Sequence, residues 1–273
     1  MIFHIPHSCT NIPEKYQGLF VLGRKEIAEE ISLMTDHHTE ALFSSLGRNG
    51  DTVITSPVSR LLVDMERFED DVFEKMADIG LGVVYTKTAD GRELKKVSKE
   101  SREKLLNEFY HPHHKRLTKA VFSELYRRGR AIIFDCHSFP SEPFSFESCD
   151  AVRPDICLGF EAYHAPAGLV DVLRVQCEIS GYTVAINSPF SGSIVPAHFW
   201  RHDGNVVSIM IEINRSLYMD EKTLSIIADR FKEIQRLLGS LVDIAKEQTA
   251  VMNIQNIPQQ KVQMGHQGLR RQY

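Results

Sequence analysis

An α/β fold built as one domain is predicted by two features of the sequence. Short runs of β-branched and apolar residues alternate with longer segments in which apolar residues recur at helical spacing. The length of 273 residues allows one large domain or two small ones, and the chain contains no internal repeat. We therefore expect a single domain over residues 1–247. A tail or weakly ordered extension rich in Gln and Asn would follow over residues 248–273.

The predicted strands are short apolar runs bounded by turn residues: Ile2–Ile5, Thr52–Thr55, Leu61–Val63, Gly82–Tyr85, Ala131–Phe134, Ile156–Leu158, Tyr182–Ile186 and Val206–Ile213. The last run is nearly uninterrupted apolar sequence, which predicts a central strand covered on both faces. Helices are predicted at about 25–46, 99–128, 165–180 and 221–246. In the last helix the core stripe would consist of Leu224, Ile227, Phe231, Ile234, Leu238 and Leu241.

Composition excludes several classes of protein. The net charge of −4 argues against a general nucleic-acid binder, which needs a basic face to displace counterions from phosphate. No apolar run has the length of a membrane span, and the N-terminus lacks the pattern of a signal peptide. The cysteines are scattered and odd in number, which fits reduced thiols: Cys9, Cys136, Cys149, Cys157 and Cys177. We expect a cytoplasmic enzyme with no nucleic-acid or membrane partner, and no oligomeric state is predicted.

Two histidines at strand ends are the leading candidates for metal ligands. Residues 131–134 run straight into Asp135 and His137, and alternation along a strand places both side chains on one side. Pro6 ends the first strand and puts His7 at its mouth. Ligands of α/β sheets bind at the carboxyl ends of strands, and imidazole is a common zinc ligand. A lone histidine there often only hydrogen-bonds a loop, but two at matched positions favour a metal site.

Two residues of the helix predicted at about 25–46 are candidates for the third metal ligand. On a helical wheel His38 falls on the main apolar stripe with Met34, whereas Asp36 falls on another side near Leu33. Helical spacing does not choose between Asp36 and His38. A carboxylate on the helix surface is the simpler interpretation of Asp36.

Glu212, near the end of the last predicted strand, is the candidate general base. An ionised carboxylate is costly to bury unless it is paired or used, and a raised pKa suits a base that acts on water. The alternative is a salt bridge to Arg215 or another nearby arginine.

Other residues are candidates for substrate binding. Arginine binds carboxylates through two parallel hydrogen bonds, so Arg60, Arg67 and Arg215 around one pocket would suit a dicarboxylic substrate. Each alone is more simply an exposed ion-pair partner. In the turn that begins at Asn187, Gly192 would let the backbone approach a ligand closely, although a connecting loop explains it nearly as well.

A series of short motifs runs through about residues 2 to 220. They are Ile5-Pro-His-Ser8 with Ile12-Pro13, Asp36-x-x-Thr39-x-x-Leu42-Phe43, Ser59-Arg60-x-x-Val63-Asp64 through Arg67, Tyr110-x-Pro112-x-His114, Asp135-x-His137-Ser138, Asp155-Ile-x-Leu-Gly159, Asn187-x-Pro-Phe-x-Gly192, and Glu212-Ile-Asn-Arg215 with Leu217-Tyr218. In this order they resemble the N-formylglutamate amidohydrolase family, which is similar to the zinc carboxypeptidases.

The resemblance implies a three-layer α/β sandwich around a mixed sheet, of the zinc-exopeptidase-like (phosphorylase/hydrolase-like) type, and an enzyme of histidine catabolism. It implies one zinc held by His7 and His137, with Glu212 as general base. The carboxypeptidases take their acidic ligand three residues after the first histidine, where this chain has Thr10. The resemblance therefore leads us to assign the acidic ligand to Asp36.

Two further expectations follow from the resemblance. His114, on the helix after Pro112, would orient a ligand or contact the substrate. Glu66 stands where the resemblance leads us to expect asparagine before the arginine, which bears on substrate recognition.

The leading hypothesis is zinc-dependent hydrolysis of N-formyl-L-glutamate to formate and glutamate, with another divalent metal possible in place of zinc. A second hypothesis keeps the metal site but takes another N-acyl amino acid or a short peptide as substrate. A third is a non-catalytic protein that binds a small molecule on the same fold. Metal analysis and a panel of acylated amino acids would discriminate among the three.

Overall fold

A mixed six-stranded sheet forms the centre of the protein. The computed structural model describes residues 1–48, 50–147, 153–166 and 168–255. The strands are β1 (Ile2–Ile5), β2 (Thr52–Thr55), β3 (Ala131–Phe139), β4 (Ile156–Gly159), β5 (Val184–Ile186) and β6 (Val206–Asn214). They lie in the order β2-β1-β3-β6-β4-β5, and every neighbouring pair is parallel except β4 and β6. The predicted α/β class with a mixed sheet is confirmed.

Helices cover both faces of this sheet and give it three layers. The helices are α1 (Glu14–Gln17), α2 (Arg24–Met34), α3 (Thr39–Ser44), α4 (Lys99–Leu105), α5 (His111–Arg128), α6 (Leu169–Ile179) and α7 (Ala228–Gln255). On one face Phe134 and Ile209 share a core with residues of α3, α6 and α7. On the other face Ile133 and Val206 pack with Leu117 and Val121 of α5. The central position predicted for β6 is confirmed, since it lies between β3 and β4.

The register of the central strands brings polar side chains together on the α5 face. Side chains alternate along each strand, so the residues of β3 that follow Ile133 on this face are Asp135 and His137. His4 of β1 is the register partner of Asp135, and Glu212 of β6 is the partner of His137. The expectation that Asp135 and His137 share a side is confirmed by a contact of 3.2 Å between them.

The prediction of one helix at about 25–46 is wrong, because α2 ends at Met34 and a second helix, α3, begins at Thr39. Asp36 donates its backbone N–H to the carbonyl of His7 at 3.0 Å, and His38 has a left-handed φ of 63°. Long-range pairing with the end of β1 therefore overrides helical propensity here. The helix predicted at 99–128 is confirmed as α4 and α5, which one π-helical turn at Leu106–Tyr110 joins. The helix predicted at 165–180 is confirmed as α6.

The strands predicted at Leu61–Val63 and Gly82–Tyr85 are wrong. Both segments are buried, but they lie in turns and bends that form a separate small core with Leu94 and Leu105. An apolar run predicts burial and does not by itself predict pairing of the backbone. This irregular segment between β2 and α5 carries Arg60, Asp64, Glu66 and Arg67 to the site.

The C-terminal boundaries also differ from the prediction. Residues 219–226 form a short hairpin of β7 (Met219–Asp220) and β8 (Ser225–Ile226), so Leu224 and Ile227 precede the helix. α7 continues to Gln255 and so includes the first residues of the segment predicted as a tail or extension from residue 248. Residues 256–273 and Cys149 lie outside the described residues. Four cysteines are free thiols: Cys9, Cys136, Cys157 and Cys177. Within the described ranges, the helices are too short or too polar to cross a membrane.

Candidate active site

His7 and His137 meet at the carboxyl ends of β1 and β3. Their ring centroids are 5.0 Å apart, and both side chains are almost fully buried. His7 reaches this point because Pro6 ends the strand, and His137 because β3 extends five residues beyond the predicted Phe134, to Phe139. The structure thus brings together two imidazoles that lie far apart in the sequence.

A carboxylate faces one nitrogen of each ring. Nε2 of His7 donates to Oδ1 of Asp64 at 2.8 Å, and Nε2 of His137 lies 3.2 Å from Oδ1 of Asp135. Asp135 is held in turn by Nδ1 of His4 at 2.7 Å and by the backbone N–H of Ile194 at 2.9 Å. Such carboxylates fix the orientation of a ligating histidine and raise its basicity.

The other nitrogen of each ring faces Asp36. Its Oδ2 lies 3.1 Å from Nδ1 of His137 and 3.7 Å from Nδ1 of His7. Its Oδ1 lies 3.2 Å from Nη2 of Arg215. Asp36 occupies this place because it sits in the break between α2 and α3, not on a helix surface. His38 points elsewhere and hydrogen-bonds the carbonyl of Leu224 through Nε2 at 2.8 Å.

Glu66 is a second acidic residue at the site. Its Oε2 lies 3.1 Å from Nε2 of His137 and 3.9 Å from Nδ1 of His7. One ligand atom from each of His7, Glu66 and His137 falls within 4.8 Å of the others, which is close enough to share an ion. Sequence reasoning singled out Glu66 only as an unexpected residue before Arg67 and gave it no place at the metal.

The electrostatics of the site favour a cation. Burial lowers the pKa of His137, but the Glu66, Asp135 and Asp36 carboxylates outweigh it and hold that pKa well above its usual value. Burial and Arg60 also lower the pKa of His7, but the Asp64 and Asp36 carboxylates outweigh them, so this pKa is raised. Nδ1 of His7 is buried and has no hydrogen-bond partner among the described residues. A pocket that stabilises protonated imidazoles, with one ring nitrogen unused, suits a divalent ion.

Glu212 lies beside these groups on β6. It is buried, and its Oε2 lacks a hydrogen-bond partner within the part of the chain described. Burial raises the pKa of Glu212 to about 8; His137 opposes this rise, and the Asp36 and Glu66 carboxylates add to it. The alternative pairing with Arg215 is not what the structure has, because Arg215 forms its ion pair with Asp36.

The three arginines predicted to bind substrate differ in how many of their N–H groups already donate hydrogen bonds. Arg60 donates to Oδ2 of Asp64 at 2.9 Å and to the hydroxyl of Tyr85 at 3.0 Å. Arg215 donates to Asp36, to Ser138 and, at 3.0 Å, to the carbonyl of Leu33. Nε of Arg67 is buried with no hydrogen-bond partner among the described residues, and it lies 3.7 Å from Oδ2 of Asp64. Arg67 therefore has the most donor capacity left for a ligand.

The remaining predicted residues line the same cavity, whose volume is about 1080 Å³. His114 is fixed by a hydrogen bond of 2.9 Å between its Nε2 and the carbonyl of Met65, and burial lowers its pKa to about 4. Oδ1 of Asn187 accepts the backbone N–H groups of Phe160 at 2.9 Å and of Gly192 at 3.2 Å. Gly192 has a φ of +84°, which favours glycine. Asn187 thus shapes the loop, and its acceptor oxygen is already used.

The sequence matches a known family. The family model for N-formylglutamate amidohydrolase matches residues 1–219. The chain belongs to this family. The N-formylglutamate deformylase of Pseudomonas putida is 27% identical over 228 residues, which cover 81% of this chain and 82% of that protein. The enzyme of the same name from Pseudomonas aeruginosa is 26% identical over 231 residues, covering 81% and 83%.

One solved structure agrees with the assignment to the N-formylglutamate amidohydrolase family, and a second shares the fold. N-formylglutamate amidohydrolase from Ralstonia eutropha JMP134 superposes with a TM-score of 0.79 at 25% identity, over 92% of this chain and 94% of that one. A protein from Agrobacterium tumefaciens shares the fold with a TM-score of 0.64 at 18% identity, over 90% and 91% of the two chains.

Proposed function

We propose that this member of the N-formylglutamate amidohydrolase family is a cytoplasmic enzyme. It would hydrolyse the amide bond of an N-acyl amino acid, with N-formyl-L-glutamate as the reference substrate. The single observation that carries the proposal is the convergence of His7, His137 and Asp36 beside Glu212, whose Oε2 has no hydrogen-bond partner among the residues that the structure describes. The names of the Pseudomonas relatives and the match of the family model support it.

A divalent ion, zinc first, would be held by Nδ1 of His7, Nδ1 of His137 and Oδ2 of Asp36. The donor set fits zinc, which takes three protein ligands of this kind in catalytic sites. Two observations support this arrangement: Nδ1 of His7 has no hydrogen-bond partner within the described ranges, and a carboxylate lies at Nε2 of each histidine. When bound, the ion polarises the substrate carbonyl and makes water a stronger acid.

We favour Asp36 over Glu66 as the acidic ligand. Oδ2 of Asp36 faces the Nδ1 atoms of the two histidines, whose Nε2 atoms already face other carboxylates. Arg215 holds Oδ1 of Asp36. Glu66 instead faces Nε2 of His137, where Asp135 already lies. On this assignment Asp36→Asn lowers metal affinity more than Glu66→Gln does; the reverse order would make Glu66 the ligand.

Glu212 would perform the proton transfers. Its Oε2, which no described residue hydrogen-bonds, takes a proton from the attacking water, whose oxygen bonds to the acyl carbon. The same carboxyl then gives the proton to the leaving nitrogen as the C–N bond breaks, which yields a carboxylic acid and a free amino acid. Arg67, with an unused donor, would bind a carboxylate of the substrate.

The experiment that tests this proposal is hydrolysis of N-formyl-L-glutamate by the purified full-length protein, with release of formate as readout. We expect activity that a chelator abolishes and zinc restores. Full activity after the metal is stripped, with metal removal verified by elemental analysis, would contradict the proposal.

A further inference from the structure

The cavity over the reaction centre is larger than a formylated amino acid requires. Its volume of about 1080 Å³ slightly exceeds the usual range for pockets that bind drug-sized ligands, about 300–1,000 Å³. N-formyl-L-glutamate is a small dicarboxylate with a one-carbon acyl group. Much of the cavity is therefore available to a larger acyl group.

An aromatic wall begins directly beside the proposed metal ligands. Phe139 follows His137 by two residues on β3, so both side chains lie on the same face of the sheet. Phe190 packs against Phe139 with ring centroids 5.2 Å apart, and both rings line the cavity. The guanidinium of Arg153 lies over the two rings at 5.4 and 5.7 Å, and Arg153 pairs with Glu147 at 2.7 Å. The wall is thus held in a fixed position.

The same apolar character continues to the rim of the cavity. Phe144 and Phe146 form a stacked pair with centroids 5.1 Å apart. Phe68 and Phe73 also line the cavity, yet 62% and 70% of their surfaces are exposed. Exposed aromatic side chains around a cavity indicate a surface that a ligand covers, because apolar area gains free energy when it leaves water.

The charged groups of the cavity suit a ligand with one anionic end. Three arginines line the described part of the cavity. Arg60 and Arg215 are engaged by Asp64 and Asp36, whereas Nε of Arg67 is buried without a hydrogen-bond partner among the described residues. One guanidinium anchors one carboxylate well. The phenylalanines that line the rest of the cavity suit an apolar group at the other end of the ligand.

We propose that the preferred substrates are N-acyl amino acids whose acyl group is bulky and apolar, such as an aroyl or a medium-chain fatty acyl group. This inference rests on the proposed function. The chemistry is unchanged: water adds its oxygen to the acyl carbon, the C–N bond breaks, and the amine leaves with the proton delivered through Glu212. The products are an apolar carboxylic acid and a free amino acid.

The kinetic test compares N-benzoyl-L-glutamate and N-octanoyl-L-glutamate with N-formyl-L-glutamate on the zinc-loaded full-length protein. We expect kcat/KM for at least one of the two to exceed that for the formyl compound by about tenfold or more, as burial of one large apolar group allows. Phe73→Ala should lower that ratio. The matched control is Val72→Ala, since Val72 is in the same loop but does not line the cavity. A ratio below ten for both compounds would overturn the inference.

A binding test separates this inference from the proposed function. Trp200 is the one tryptophan of the chain and lines the cavity, so its fluorescence reports occupancy. Zinc-loaded Glu212→Gln protein is titrated with the benzoyl and formyl compounds, and we expect at least about tenfold tighter binding of the benzoyl compound. If no compound is hydrolysed by the wild type, the proposed function fails, and tighter benzoyl binding still supports the apolar ligand class. Equal or weaker benzoyl binding overturns it.

Discussion

Replacement of Glu212 by Gln isolates the proton-transfer step from folding and from metal binding. Oε2 of Glu212 has no hydrogen-bond partner among the described residues, so the amide takes the place of the carboxyl with no such bond lost. General acid–base catalysis contributes about 10²–10⁴-fold to rate, and we expect kcat/KM to fall by that factor. The loss corresponds to about 2.7–5.4 kcal/mol in the activation free energy.

The stability of the Glu212→Gln variant should move in the opposite direction. The pKa of Glu212 is raised to about 8 in the folded, metal-free chain, so folding favours the protonated form. Wild-type stability therefore declines as pH rises from the unfolded pKa of about 4.3 towards 8, whereas the amide does not titrate. Metal-free Glu212→Gln should be at least as stable as wild type at pH 5 and more stable at pH 8.

Three measurements decide this prediction: formate release, thermal unfolding of the metal-free proteins, and zinc content of the loaded ones. In the wild type the rate should rise with pH along an acidic limb that lies below pH 8, because a bound cation lowers the pKa of a nearby carboxyl. Activity of Glu212→Gln within threefold of wild type would refute the role of Glu212 as base. Loss of zinc from the variant would indicate instead that Glu212 is a ligand.

Three further substitutions test other parts of the account. Asp135→Asn should weaken zinc affinity by about 10–100-fold, measured by competition with a chelator, because Asp135 orients His137; unchanged affinity would exclude that role. Arg67→Met should raise KM for N-formyl-L-glutamate by about tenfold or more, while the control Arg174→Met, at a partly exposed residue that does not line the cavity, leaves KM as it is; equal values would remove Arg67 from substrate binding. Gly159→Ala should destabilise the protein by about 1–3 kcal/mol in chemical denaturation, since the new Cβ would lie 2.5 Å from the carbonyl oxygen of Gly192; stability equal to that of the open control site Gly204→Ala would contradict this packing.

The six strands of the sheet could be located from the sequence because local patterns determine them, although β3 ends five residues later than predicted. Alternation along β3 placed Asp135 and His137 on one face, and Pro6 marked the end of β1. The near-continuous apolar run of β6 indicated its central place and the burial of Glu212. These inferences need only the neighbours of each residue in the chain.

The surroundings of Asp36 could not be predicted from local pattern. Residues 25–46 have helical periodicity, but a hydrogen bond from Asp36 to His7 and the left-handed backbone of His38 break the helix. The hydrogen bond depends on the end of β1, which α1 and α2 separate from Asp36 along the chain. Only the motif resemblance pointed to Asp36, and periodicity alone had left it equal to His38.

The segment from Arg60 to Arg67 shows a second limit. Leu61–Val63 was predicted to be a strand because it is apolar, yet it is a buried turn in a separate small core. The error in backbone matters, because this turn brings Glu66 within 3.1 Å of His137. The available signal was the glutamate itself, which departs from the asparagine that the resemblance led us to expect.

The metal content of purified protein tests the central claim most directly. Elemental analysis should find about one zinc per wild-type chain, and none in His7→Ala or in His137→Ala, while circular dichroism shows both variants to be folded. Zinc retained at full stoichiometry by either folded variant would contradict a shared site between the two imidazoles.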